Sequence, residues 1–184
     1  MTLGLDQWSS YQDMLTNAVM TITQLLKEYD DDVASAKTVL SELETYYPSA
    51  KDYQVTGFFF WQSDKDRYND VHAGRYEQNL VQLIKQLRKD FKVPNAKFVL
   101  ATLGQTEKGK DGNDGVVLNA QLAVDGTTVK YPQFKGNVAT VYSKPLCHSG
   151  ASNSHYDGIA QTYMDAGEAM ERTMVELQAE TDSK

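Results

Sequence analysis

Two short stretches of this sequence carry side chains able to do chemistry. The first is Gln62 and Ser63, which follow the apolar run "GFFFW" without transition. A side-chain amide and a backbone N–H at the end of a buried strand can point at one oxygen. That is the geometry an oxyanion hole requires. The second is His155, at the end of the polar loop "SGASNSH" and just before an apolar-periodic segment. A histidine there can reach a strand-end cleft and act as a general base near neutral pH. Each has a plainer reading. Gln62 and Ser63 mark a strand-to-loop transition, and His155 helps start the next helix.

The elements that must position these residues follow from periodicity. "YQVTGFFFW", 53–61, reads as a strand, and its near-continuous apolar character predicts burial on both faces. In 75–91, Tyr76, Leu80, Leu83, Ile84, Leu87 and Phe91 form the stripe of an amphipathic helix. "AKFVLATLG", 96–104, and "NVATVYS", 137–143, read as further strands. "QTEKGKDGNDG", 105–115, reads as a Gly-rich loop, and 116–124 fits either a helix or a strand. A last helix carries Ile159, Tyr163, Ala166, Met170 and Leu177 on one face, with a frayed tail "QAETDSK". Upstream, 8–28 reads as a helix. A second helix follows, with Asp31 or Asp32 as its N-cap, Val33, Ala36, Leu40, Leu43 and Tyr47 as its face, and Pro48 as its end.

Strands alternating with helices predict an α/β fold, a parallel sheet with helices on both sides. Ligands bind such sheets beyond the carboxyl ends of the strands. Segments 62–68, 104–115 and 143–156 should meet there. With no internal repeat and no linker, a chain of 184 residues fits one domain.

Composition narrows the function. Lys and Arg number 18 against 25 Asp and Glu, a net charge of −7 with the basic residues scattered. Neutralising a nucleic-acid backbone or an anionic membrane needs a basic surface, so neither is an expected partner. Cys147 is the single cysteine and reads as a small buried hydrophobe, which excludes an intrachain disulfide. No apolar run is long enough for a membrane span, and "MTLGLDQWSSYQD" lacks the pattern of a secretory signal. His72, His148 and His155 lack metal-ligand spacing, so neither metal nor cofactor is expected. "GKDGNDG" does not follow a strand and open a helix as a phosphate-binding motif must. It reads as a solvated turn rather than a calcium loop.

In order, "GFFFWQSDKDRY", "RYEQNLVQLIKQLRKDF", "AKFVLATLG", "AQLAV" and "SHYDGIAQTYMDAGEAM" resemble the SGNH (GDSL-like) hydrolase superfamily. The closest branch is the sialate O-acetylesterase and carbohydrate acetylesterase group. The resemblance covers roughly 31–184 and leaves 1–30 as an unmatched helical segment. It implies a three-layer α/β/α sandwich of flavodoxin-like type and removal of acyl groups, commonly acetyl, from sugars. It also implies that His155 is the general base, that the Gln62 side chain lines the oxyanion hole, and that the Ser63 N–H stands where the family has a glycine.

Three departures accompany the resemblance. The family's nucleophilic Ser lies in a Gly–Gln–Ser–Asn-like segment, and nothing similar occurs in residues 1–56. The chain then corresponds to the C-terminal portion of a larger domain, or to a copy without its first strand. Such a sheet would expose an edge compatible with oligomerisation. Ser63 replaces the family's Gly. Ser152 stands where an Asp three residues before the His is usual, which leaves Asp157 or Asp66 as the acid. The implied partner is an acetylated carbohydrate, and the alternative is a non-catalytic glycan-binding module. Members are often exported, and the sequence itself leaves the compartment open.

Overall fold

A computed structural model describes residues 29–148 and 155–182, with side chains up to Ala179. The predicted helix over 8–28 lies outside the described residues, as does Ser152. The chain divides into two compact units, Met1–Gln54 and Val55–Lys184.

In the first unit, helix α1 spans 29–41 and α2 spans Leu43–Tyr46. The backbone is already helical at Tyr29 and Asp30. Asp31 and Asp32 are therefore helix residues rather than caps, a correction to the sequence reading. An N-cap needs a non-helical backbone, and aspartate costs little inside a helix that has begun upstream. Val33, Leu40 and Leu43 are half-buried, whereas Ala36 and Tyr47 are exposed. The helix ends at Tyr47, just before Pro48.

The second unit holds three parallel strands: β1 Gly57–Phe60, β2 Lys97–Ala101 and β3 Val138–Val141. They lie side by side in chain order, with Phe58 beside Phe98 and Phe98 beside Val138. Helix α3, Asp70–Asp90, links β1 to β2, and α4, Gly112–Ala123, links β2 to β3. These helices pack together on one face, and α5, Ala160–Asp182, covers β2 and β3 on the other. This is the predicted three-layer α/β/α sandwich around a parallel sheet.

Side-chain alternation along β2 explains the layering. Phe98 and Leu100 point into the core shared with Tyr76, Leu80, Ile84, Val117 and Phe134. Val99 and Ala101 meet Met170, Met174 and Leu177 of α5. Burying a side chain such as Phe98 contributes roughly 2–3 kcal/mol. Only β2 is buried throughout. Phe59 of β1 is 55 % exposed, against the predicted burial of this strand on both faces, because α5 lies over β2 and β3.

Two boundaries differ from the sequence reading for local reasons. Helix α3 starts five residues earlier than the apolar stripe suggests. Asn69 Oδ1 caps it by accepting hydrogen bonds from the N–H groups of Val71 and His72, at 2.9 and 3.1 Å. The Gly-rich "GNDG" is the first turn of α4 rather than loop. Gly115 permits this, because the Lys110 carbonyl oxygen sits 1.6 Å from where a Cβ would be. The segment therefore does open a helix after β2, contrary to the sequence reading, although its glycine spacing remains unlike a phosphate-binding fingerprint. The frayed tail is also corrected, since α5 continues to Asp182.

Candidate functional site

Beyond the carboxyl ends of the strands lies an open cleft of about 460 Å³. Gln62, Ser63 and Asp64 line it from the loop after β1, and Leu103 and Gln105 from the loop after β2. His155 and Tyr156 line it from the segment before α5, and Tyr163 from α5 itself. All three residues singled out in the sequence, Gln62, Ser63 and His155, thus border one cavity.

Beneath Gln62 the cleft floor is a buried polar network. Ser63 is 0 % exposed, and its Oγ accepts a hydrogen bond from Gln121 Nε2 at 2.9 Å. The same amide donates to the Tyr76 hydroxyl at 3.3 Å, and Gln121 Oε1 accepts from Leu103 N–H at 3.3 Å. Tyr76 donates in turn to the Gln62 carbonyl at 3.1 Å. Burial pushes the Tyr76 phenol up to about 12, so it stays a neutral donor. Gln121 satisfies three groups on three elements, which a buried amide must do to offset its desolvation.

Ser63 has φ 152°, a backbone angle that favours glycine. The Gln121 hydrogen bond holds its side chain while the backbone takes that angle. Among the described residues the Ser63 N–H has no hydrogen-bond partner, so a donor remains unused at the strand end.

His155 opens a left-handed turn. His155, Tyr156, Asp157 and Gly158 have φ of 51°, 55°, 55° and 69°. For the three non-glycine residues this conformation costs about 1–2 kcal/mol each. Local bonds hold it. Gly158 N–H donates to His155 O and Ile159 N–H to Tyr156 O, both at 3.1 Å. The Tyr163 hydroxyl donates to His155 O at 2.7 Å. The helix proper begins only at Ala160, so His155 is not its cap. Among the described residues no carboxylate pairs with the His155 ring. Neither candidate acid, Asp157 nor Asp66, forms an ion pair with it among the described residues. Asp66 lies in a separate cavity with Gln62 and Tyr76, where burial pushes its carboxyl up against the lowering effect of His72. The histidine that does pair with a carboxylate is His148, 2.6 Å from Asp165 and outside the cleft.

Several lining residues were not singled out by the sequence. Trp61 stacks on Tyr156 at 5.5 Å between ring centroids, and Tyr163 meets both at 5.7 and 5.8 Å. Their joint edge gives the cleft an aromatic wall. Trp61 is anchored by its Nε1–H to Thr102 O, and Tyr156 by its hydroxyl, which accepts from Gly104 N–H at 3.1 Å. Asp64 accepts from Arg67 Nε at 2.8 Å and from Gln105 Nε2 at 2.9 Å, tying the first loop to the second. Arg67 also reaches Asp114 of α4 at 3.3 Å. The available signals were Tyr156 beside His155, Tyr163 two turns on, and one glutamine inside the apolar "NAQLAV". Cys147 is half-buried rather than fully buried as the sequence suggested; partial burial pushes its thiol up, and its Sγ packs against Gly104. Among the described residues no group of three His, Cys, Asp or Glu could hold a metal ion. No helix there is long and apolar enough to cross a membrane.

The fold is a parallel α/β sandwich with a polar, aromatic-walled cleft at its strand ends, the place where ligands bind sheets of this kind. The family model described as carbohydrate esterase, sialic acid-specific acetylesterase matches residues 6–176, and the chain belongs to that family. The resemblance read from the sequence is borne out at this level. A solved X-ray structure of a protein from Arabidopsis thaliana is similar, at 20% identity and a TM-score of 0.46. The match covers 67% of this chain and 45% of that one, so the chain spans less than half of that relative's length. Among curated proteins nothing matches.

Proposed function

We propose that this chain supplies the oxyanion and base side of an esterase cleft that removes acyl groups, commonly acetyl, from sugars. The observation that carries the reading is the meeting of Gln62, Ser63 and His155 on one cleft at the strand ends. In this reading His155 takes the proton of an attacking hydroxyl. The Gln62 amide and the Ser63 N–H stabilise the oxyanion that forms on the ester carbonyl. The attacking hydroxyl is assigned to no residue, since residues 1–56 contain no Gly–Gln–Ser segment. Trp61, Tyr156 and Tyr163 offer apolar ring surface to the faces of a sugar ring.

The test is turnover of p-nitrophenyl acetate by the purified protein and by His155→Ala. Loss of a positioned base lowers turnover by roughly 10²–10⁴-fold. Equal rates in both proteins would remove His155 from the role.

A second reading is a glycan-binding module without turnover. The strained Ser63 backbone and a His155 ring unpaired with any described carboxylate favour it. Titration with acetylated and plain sugars, read by tryptophan fluorescence in the wild type and in Trp8→Phe, separates the two. Binding without hydrolysis selects the module, and an unresponsive spectrum with every sugar discards it.

A further inference from the structure

At the opposite end of the sheet, the amino ends of β2 and β3, lies another cavity of about 440 Å³ whose charge contrasts with the chain's −7. Lys85, Arg88, Lys89 and Lys92 line it with Asn95 and Asn137. Arg88 is only 8 % exposed, and its partners are carbonyl oxygens rather than a carboxylate. Nε donates to Ala96 O at 2.9 Å, and Nη2 donates to Asn137 O and Oδ1 at 3.0 and 2.8 Å. Nη1 makes no hydrogen bond among the described residues. Burying a guanidinium without an acid is costly, and its desolvation holds the group below its ordinary range. Among the described residues no carboxylate pairs with Lys85, Lys89 or Lys92 either. The neighbouring acid, Asp90, is engaged by Gln86 and does not line the cavity.

The backbone here points the same way. Helix α3 ends in a reversed turn in which Val93 N–H donates to Arg88 O at 2.9 Å and Lys92 N–H to Lys89 O at 3.1 Å. This motif wants glycine at its left-handed position, and Lys92 occupies it with φ 57°. A lysine kept where glycine is cheaper adds a charge at the mouth of the cavity. The turn also satisfies terminal carbonyls of the helix, which would otherwise repel an anion.

We propose that this cavity binds an oxyanion group, sulfate or phosphate, either free or carried on a sugar. Arg88 Nη1 supplies directed donors from the wall, and the three lysines supply mobile ammonium groups around the mouth.

The full chain is titrated calorimetrically with sodium sulfate, sodium phosphate, sulfated dextran and plain dextran at constant ionic strength, because exposed lysines respond to salt in general. The variant is Lys85→Gln/Lys89→Gln/Lys92→Gly, which leaves Arg88 in place and relieves the left-handed lysine. Lys89→Glu alone is the second variant should the triple one fold poorly. Binding of sulfate or phosphate that weakens at least about tenfold in either variant supports the site. Tighter binding of sulfated dextran, with none for plain dextran, assigns the group to a carried sulfate. Tighter binding of the simple salts assigns it to the free ion. Equal affinity in wild type and variants, or no binding of any probe, overturns the proposal.

Discussion

Gln121 Nε2 donates to Ser63 Oγ at 2.9 Å, joining residues 58 positions apart at the floor of the cleft. The bond couples the last turn of α4 to the loop after β1, and it steadies a serine whose φ of 152° favours glycine. Two effects therefore act at Ser63 with opposite sign. Ser63→Ala keeps the strained backbone and removes one acceptor of a buried amide, costing about 1–2 kcal/mol. Ser63→Gly loses the same acceptor but recovers about 1 kcal/mol or more of backbone strain. Urea unfolding should rank wild type and Ser63→Gly close together, with Ser63→Ala clearly lower. An alanine variant more stable than the glycine one would contradict this account.

Gly104 reserves the space occupied by Cys147. A Cβ at Gly104 would lie 1.9 Å from Cys147 Sγ and 3.0 Å from a ring carbon of Tyr156. Gly104→Ala is expected to cost about 1–3 kcal/mol through overpacking. Adding Cys147→Ala should return part of that cost, so the pair is non-additive in a double-mutant cycle. Strictly additive costs would mean that the thiol gives way freely.

Tyr163 positions His155 through the 2.7 Å bond to its carbonyl. Tyr163→Phe retains the aromatic wall and releases the left-handed turn. The expected outcome is a stability loss of about 1 kcal/mol or less. If the cleft hydrolyses esters as proposed, kcat falls several-fold, on the order of what a small misplacement costs, with KM little changed. A kcat equal to wild type would separate Tyr163 from the base.

Tyr131 donates to Glu77, which also bonds Lys130 at 2.8 Å. The carboxylate holds the Tyr131 phenol up at about 12, with burial adding to it. Burial raises the Glu77 carboxyl, but its bonds to Lys130 and Tyr131 outweigh this and leave it below its ordinary 4.5. A depressed carboxyl stabilises the fold fully above its unfolded value. That contribution fades as pH falls from about 4.5 through the lower folded value. Glu77→Gln should therefore flatten the acid limb of the stability curve and bring Tyr131 down towards 10 in an ultraviolet titration. An unmoved phenol would show that another group holds it.

The layered architecture was legible because it rests on local pattern. The stripe from Tyr76 to Phe91 and the apolar runs at Phe58 and Phe98 have the periods of a helix and of strands. Alternation of these elements leaves few topologies. Gln62 was legible because polarity begins abruptly after "GFFFW", and His155 because it closes a polar loop just before an apolar-periodic segment. The first turn of α4 was not legible, because "GNDG" has poor helix propensity and only the fit of Lys110 O against Gly115 decides it. The exposed face of β1 was also hidden, since its letters match those of a buried strand and coverage depends on where α5 lies.

By itself the sequence determined the α/β order, the family motifs and the three residues at the segment ends, all of which are encoded within short windows. Only the tertiary structure decided what those residues touch. It set Gln121 beneath Ser63, brought His155 to the cleft of Gln62 and Ser63, and stacked Trp61 on Tyr156. It also brought Lys85, Arg88 and Lys89 of α3, with Lys92 of the turn after it, beside Asn137. These are contacts between residues tens of positions apart, and their energies depend on burial and geometry that no local window carries.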